Sequence, residues 1–174
     1  MIIAAVRNIT EYNEAIESNC PIVFDLSPSI LSIEEKVRIA HSKNKKLFIH
    51  LDLAEGIGKD KEGIKFAKKL GVDGIISTRV IIINIAREEG LFTVQRFFAV
   101  DSQSLNIAVE TVKTSKPNMI EIMPGTVEKV ISRLKEKVSI PVIAGGLIET
   151  ESEIKSALNA GAAAVSTGKK EFWR

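Results

Sequence analysis

Apolar residues fall in short runs of four to seven, separated by amphipathic stretches, and the rhythm repeats along the whole chain. The runs lie at 2–6 (IIAAV), 22–26 (IVFDL), 47–53 (LFIHLDL), 74–77 (GIIS), 92–98 (FTVQRFF), 119–123 (MIEIM), 141–146 (PVIAGG) and 163–167 (AAVST). Runs this short, rich in Ile and Val, read as strands buried on both faces. The stretches between them read as helices with recognisable ends. Thr10, Ser32 and Thr150 stand where helices begin, and the last two, each with a Glu three residues on, fit a capping box. Gly71, Gly90 and Gly161 stand where helices end and the chain needs positive φ.

Eight strand–helix units in 174 residues leave about 22 residues per unit, short of the ~250 usual for a closed (β/α)8 barrel. Closure nonetheless removes both sheet edges without extra chain. The expected fold is therefore α/β, a compact parallel TIM-like (β/α)8 barrel with short loops, spanning residues 1–174 as one domain. An open doubly wound sheet is the alternative. Economy of length implies that some helices are short, notably the one after Asp101. The phrases GIIST (74–78) and AAVST (163–167), four units apart, are compatible with two duplicated half-barrels.

Alternation along the strands sorts side chains to two faces. In the third run Leu47, Ile49, Leu51 and Leu53 oppose Phe48, His50 and Asp52, and the aliphatic face should meet the outer helices. The same reasoning turns Arg7, Asp25 and Glu121 inward with His50 and Asp52. The fifth run is ambiguous, because Gln95 and Arg96 are neighbours. Ionisable groups inside a barrel are costly unless they pair or meet a ligand, and barrel sites lie at the strand C-termini. These five are candidates for reading a polar ligand.

The seventh run continues into Gly145 and Gly146, and the eighth into Ser166, Thr167 and Gly168. Such loops bring backbone N–H groups close to an anion, and a short final helix after Lys169 would add the positive end of its dipole. Loops seven and eight are the usual phosphate position of this architecture. These five residues are the candidate phosphate site.

Composition narrows the function. With 45% hydrophobic residues and 24 basic against 22 acidic side chains, net +2, the chain is neither disordered nor a strongly basic polymer binder. The lone Cys20 has no disulfide partner and no Cys/His spacing suggests a metal. No apolar run is long enough for a membrane, and the N-terminus lacks a signal-peptide pattern, so a cytoplasmic protein without cofactor or metal is expected. No nucleophile elbow is present and no strand ends in a Schiff-base lysine. A metal-assisted hydrolase could draw on His50, Asp52 and Glu121, although their spacing is not diagnostic. Lys61, Lys65 and Lys68 form a basic stripe, and Lys169 and Lys170 a basic end. Both are candidate RNA contacts, although such stripes are mostly solvated helix faces. Phe92, Phe97 and Phe98 read as core rather than a base-stacking platform. Trp173 reads as an apolar lid, and His41 and Cys20 as structural.

The ordered set HLDLAEGI (50–57), DGIISTR (73–79), QRFF-x-x-DS (95–102), KP-x-x-IEIMPG (116–125), IPVIAGGLI (140–148) and AGAAAVST (160–167) resembles the glycerol-uptake operon antiterminator regulatory proteins. The likeness runs over nearly the whole chain. It implies a regulator that responds to glycerol 3-phosphate and binds an mRNA leader, with a homo-oligomer open as a further expectation. One departure is Gly168, where relatives tend to carry Ser, so a hydroxyl donor is missing. The alternative reading is a small barrel enzyme acting on a phosphorylated three-carbon metabolite, with Asp52 or Glu121 as general base.

Overall fold

The computed structural model describes residues 1–174. Its eight strands are β1 (Ile2–Val6), β2 (Ile22–Asp25), β3 (Lys46–His50), β4 (Gly74–Ser77), β5 (Phe92–Phe98), β6 (Met119–Met123), β7 (Val142–Gly145) and β8 (Ala164–Thr167). They pair in parallel, in chain order, and β1 joins β8, so the sheet closes as a barrel without edges. The open doubly wound alternative is excluded.

Seven helices cover the outside: α1 (Ile9–Glu17), α2 (Ile33–Ser42), α3 (Lys61–Lys69), α4 (Val80–Glu88), α5 (Ser102–Ser115), α6 (Glu128–Lys137) and α7 (Glu151–Asn159). The eighth position holds only a 3-10 turn, Lys170–Phe172. Trp173 fills the space a helix would occupy. It is buried, its Nε1 donates to the Thr167 carbonyl at 2.9 Å, and its own carbonyl accepts from Asn19 N at 3.0 Å. The helix dipole expected beside Lys169 is therefore absent.

Most end signals act as read. Thr150 and Glu153 form the reciprocal capping box of α7, and Gly71, Gly90 and Gly161 take φ of +90°, +79° and +105°. Two starts differ. Asn8, not Thr10, caps α1 by accepting from Glu11 N, and Ser32 makes no side-chain cap at α2. The helix after Asp101, expected to be short, is the longest, with 14 residues, and Asp101 and Ser104 cap its start reciprocally.

Barrel interior and outer layer separate by strand parity. Inside, Phe24 stacks on Phe48 at 5.6 Å between ring centres, and Phe48 meets Phe92 at 5.4 Å. Gly74 makes room for this ring, since a Cβ there would lie 2.7 Å from Phe48. Outside, aliphatic side chains of the strands meet the helices in two large clusters. Each buried Leu or Ile there contributes roughly 1.5–3 kcal/mol.

Strand two faces opposite to the reading above. Phe24 and Leu26 belong to the interior cluster, while Val23 packs outward with the helices. Asp25 therefore points to the outer layer, where Lys36 of α2 meets it at 2.6 Å, both side chains nearly inaccessible. In strand five the structure turns Val94 inward and Gln95 outward, where Ser115 of α5 donates to the Gln95 amide oxygen, so Arg96 faces in. The third strand ends at His50 and becomes a 3-10 turn, Leu51–Leu53, so alternation does not carry to Asp52. GIIST and AAVST are not equivalent. Ser77 lies beyond inward-facing Ile76 and bonds Asp52, whereas Ser166 itself faces in and bonds Glu121. Phe98 is exposed at the end of β5 rather than core, and Phe92 is half-exposed at its start.

The buried Asp25–Lys36 pair makes a clean test of strand-two parity. Lys36→Met strands a buried carboxylate and should cost about 3–5 kcal/mol. Asp25→Leu/Lys36→Met, which removes both charges, should recover most of that loss. Urea unfolding midpoints measure both, and equal destabilisation of the single and double variants would contradict the placement.

Candidate functional site

At the C-terminal mouth of the barrel a cleft of about 370 Å³ opens between the ends of β1, β5, β6, β7 and β8. Its floor is an ion pair. Arg96 and Glu121 are register neighbours on β5 and β6, and Arg96 Nε donates to Glu121 Oε2 at 2.6 Å. Ser166 Oγ donates to Glu121 Oε1 at 2.5 Å. Both carboxylate oxygens are thus engaged, and Glu121 is 1% exposed. Gly145 stands alongside because nothing larger fits: a Cβ would lie 2.5 Å from Glu121 Oε1.

The walls are positive. Arg7, exposed at the end of β1, has its guanidinium beside Gly168, where an added Cβ would lie 3.3 Å from its Nη1. Lys169 closes the rim and meets Glu149 at 3.4 Å. The loop after β7 turns through Gly146 and Leu147, with φ of +73° and +59°. The N–H groups of Gly146, Leu147 and Gly168 make no bond to another protein group. Thr167 Oγ1 donates to the Ile148 carbonyl and accepts from Lys169 N, which locks the two loops together. Two cations and three free N–H donors around one opening can hold a dianion such as a phosphate.

Of the residues singled out from the sequence, Gly146, Ser166, Thr167, Gly168, Arg7 and Glu121 line this cleft, with Gly145 directly beneath it. Asp25 does not, for the parity reason given. Asp52 does not either. It is a clamp on the β4–α4 corner, accepting from Ser77 Oγ (2.7 Å), Thr78 N (2.8 Å), Thr78 Oγ1 and Arg79 Nε. Burial alone would raise its pKa, but the nearby His50 ring and the bonds from Thr78 and Ser77 outweigh that and hold it well below the usual carboxylate range. His50, buried with Nε2 3.5 Å from Asp52, also lies outside the cleft wall. The expectation that His50, Asp52 and Glu121 share one cavity therefore fails, and no three His, Cys, Asp or Glu side chains converge as a metal set.

The basic candidates divide. Lys169 belongs to the cleft, whereas Lys170 pairs with Glu14 at 2.6 Å. Along α3, Lys65 meets Glu62 and Lys68 donates to the Glu89 carbonyl, leaving Lys61 without a partner. His41 is held by Asp73 at 2.9 Å, which also binds Lys46 and Leu47 N, so its structural reading has a partner. Sequence reasoning left Arg96 undecided and gave Lys169 another role. The usable signal for Arg96 was the lone acid of the next strand, Glu121, which demands a buried cation beside it.

Comparison with known proteins gives a family. The family model described as glycerol-3-phosphate responsive antiterminator matches residues 2–173. The uncharacterized protein YgcP of Escherichia coli K12 is 39% identical over 173 residues, 99% of this chain and 91% of that protein. The crystal structure of a glycerol uptake operon antiterminator regulatory protein from Listeria monocytogenes superposes with a TM-score of 0.93 at 33% identity, covering 99% of this chain and 94% of that one. That of an antiterminator-related protein from Thermotoga maritima gives 0.88 at 33%, covering 99% and 96%. Aldolases at 12–16% identity share the fold alone. With the match running from the first strand to Trp173, the chain belongs to the glycerol-3-phosphate responsive antiterminator family.

Proposed function

We propose that this chain is a cytoplasmic regulator that binds glycerol 3-phosphate in the barrel-mouth cleft and, in response, binds the leader of an mRNA. The observation that carries the ligand reading is the pairing of Arg7 and Lys169 with the free N–H groups of Gly146, Leu147 and Gly168 around one opening. Phosphate oxygens would take these donors, and the glycerol hydroxyls would reach down toward Arg96 and Thr167. The family supports the regulatory half.

The enzyme reading needs a general base, and the carboxylates in and near the cleft are engaged: Glu149 at the rim pairs with Lys169 at 3.4 Å. Glu121 is bonded at both oxygens, and Asp52 is spent on Ser77, Thr78 and Arg79. A carboxylate held this way fixes its neighbours and is a poor proton acceptor.

Three outcomes test the proposal. Titration with glycerol 3-phosphate should show saturable binding without product, and leader-RNA affinity should change when the ligand is present. Consumption of the ligand, or RNA affinity independent of it, would overturn the regulatory reading.

Arg7→Ala removes a charge-assisted donor worth about 1.5–3 kcal/mol, so calorimetric affinity should fall roughly tenfold or more. Unchanged affinity would move the phosphate elsewhere.

Gly168→Ser adds the hydroxyl that the family resemblance leads one to expect, at a position without positive φ where the Cβ would lie 3.3 Å from Arg7 Nη1, the far end of a flexible side chain. The variant should fold normally and bind the ligand about fivefold more tightly, one extra hydrogen bond being worth about 1 kcal/mol. Weaker binding would show that the hydroxyl displaces Arg7 instead.

A further inference from the structure

Exposed apolar surface is gathered at one end of the barrel. Of the twelve large apolar side chains left in solvent, nine stand at the C-terminal mouth, on strand ends, connections and first helical turns. The five most exposed are all among them: Leu31 before α2, Leu53 after β3, Ile81 in the first turn of α4, Val100 before α5 and Leu147 before α7. Leu31, Val100 and Leu147 are 94%, 82% and 72% exposed. The opposite end of the barrel shows just Met1 and Phe92 of the twelve, although connections there, such as 42–44, meet solvent as well. Apolar surface collected on one face, on loops that otherwise favour polar residues, marks a contact.

Leu147 is unfavourable twice over. Its φ of +59° lies in the left-handed region, where a side chain crowds the backbone and glycine is the easier choice. The same conformation leaves the side chain in solvent at the edge of the cleft. A leucine is preferable to glycine here only if something covers the loop.

We infer that the mouth face is the contact between two copies of this chain, which meet over their clefts. A half-exposed aliphatic side chain presents on the order of 60 Å² of apolar surface, so nine present roughly 500 Å². A homodimer contact of about 800 Å² per partner, about 65% of it apolar, needs the same amount. The charges also suit a second copy rather than a polyanion. Both signs stand around the mouth with no ion-pair partner within 4.0 Å, Glu34, Glu55 and Glu128 as well as Lys59, Lys61 and Lys129. A two-fold contact lets acids of one copy meet cations of the other, whereas a polyanion would be repelled by the acids. Net charge of +2 leaves little repulsion between copies. The face stands without the ligand reading proposed above, and its linkage to the ligand rests on that reading. Leu147 belongs to both surfaces, since its N–H is a free donor at the cleft and its side chain is in the contact. A phosphate that takes the N–H fixes the loop that carries the side chain, so ligand binding and self-association strengthen each other.

Sedimentation velocity of the full chain from micromolar to millimolar concentration, with and without glycerol 3-phosphate, tests the contact. The wild-type chain should pass from monomer to dimer as concentration rises, with a dissociation constant lowered about fivefold or more by saturating ligand. Leu31→Glu/Val100→Glu should weaken association roughly tenfold or more. The thermal midpoint should not fall, because both side chains are exposed in the monomer. Leu147→Gly keeps the left-handed φ without the side chain, so it should weaken association and raise the thermal midpoint of dilute protein, a gain that misfolding does not produce. A chain that stays monomeric throughout, or variants that associate like the wild type, would overturn the mouth contact. Association that is indifferent to glycerol 3-phosphate, in a chain that binds it, would overturn the linkage alone. Absence of glycerol 3-phosphate binding would overturn the ligand reading and the linkage with it, while dimerisation lost in Leu31→Glu/Val100→Glu would still support the contact.

Discussion

Glu121 sits on the inner face of β6, almost wholly shielded from solvent, and most of the barrel's upper layer is arranged around it. An isolated carboxylate in that position would cost several kcal/mol. Arg96, in register on β5, and Ser166, on β8, take its two oxygens, and Gly145 on β7 gives up its side chain so that the carboxylate and the serine can meet. One charge thereby dictates residue choice on four consecutive strands. The opposite half of the interior is settled by the aromatic stack of Phe24, Phe48 and Phe92 over Gly74. The cleft lies on the polar side because that is where side chains are tied to one another rather than filling space.

The periodicity of apolar runs was enough to read the barrel, since closure of eight short parallel strands is the economical way to remove two edges. Facing was harder. Strand two, IVFDL, is apolar on both faces, so its only charge, Asp25, decided the reading and pointed it the wrong way. The missing constraint was on α2, where Lys36 falls on the same stripe as Ile33, Val37 and Ala40. A lysine on a core-facing stripe requires a buried acid opposite it, and Asp25 is that acid. Asp52 failed for another reason. Alternation holds only while the chain stays extended, and the 3-10 turn at Leu51 ends it. The glycine and hydroxyl residues of loops seven and eight were legible because backbone approach to an anion leaves a compositional trace. Arg7 was legible from strand parity. Lys169 was visible as a charge but not as a neighbour of the cleft, which is a property of the loop's path.

The last step concerns how a small ligand could influence a distant surface in so short a chain. Minimal loops leave little slack between strand ends and helix starts, so a change at the mouth is passed directly to a helix. Gly125 shows the tightness: its N–H reaches the Gly145 carbonyl at 2.6 Å, and a Cβ there would sit 2.7 Å from Gly145 N. Loops after β6 and β7 are thus tied to each other. On the β2–β4 side the corner is already pinned by Asp52 through Ser77, Thr78 and Arg79 without any ligand. The side that carries free donors is the side whose order a ligand can change. Coupling requires differential contact with two states, and its reciprocity means that bound RNA would tighten the cleft in turn. The division of the barrel mouth into a pinned half and a half with free donors therefore gives the proposed regulator a physical reason to respond through the loops after β6, β7 and β8 rather than through the β4–α4 corner.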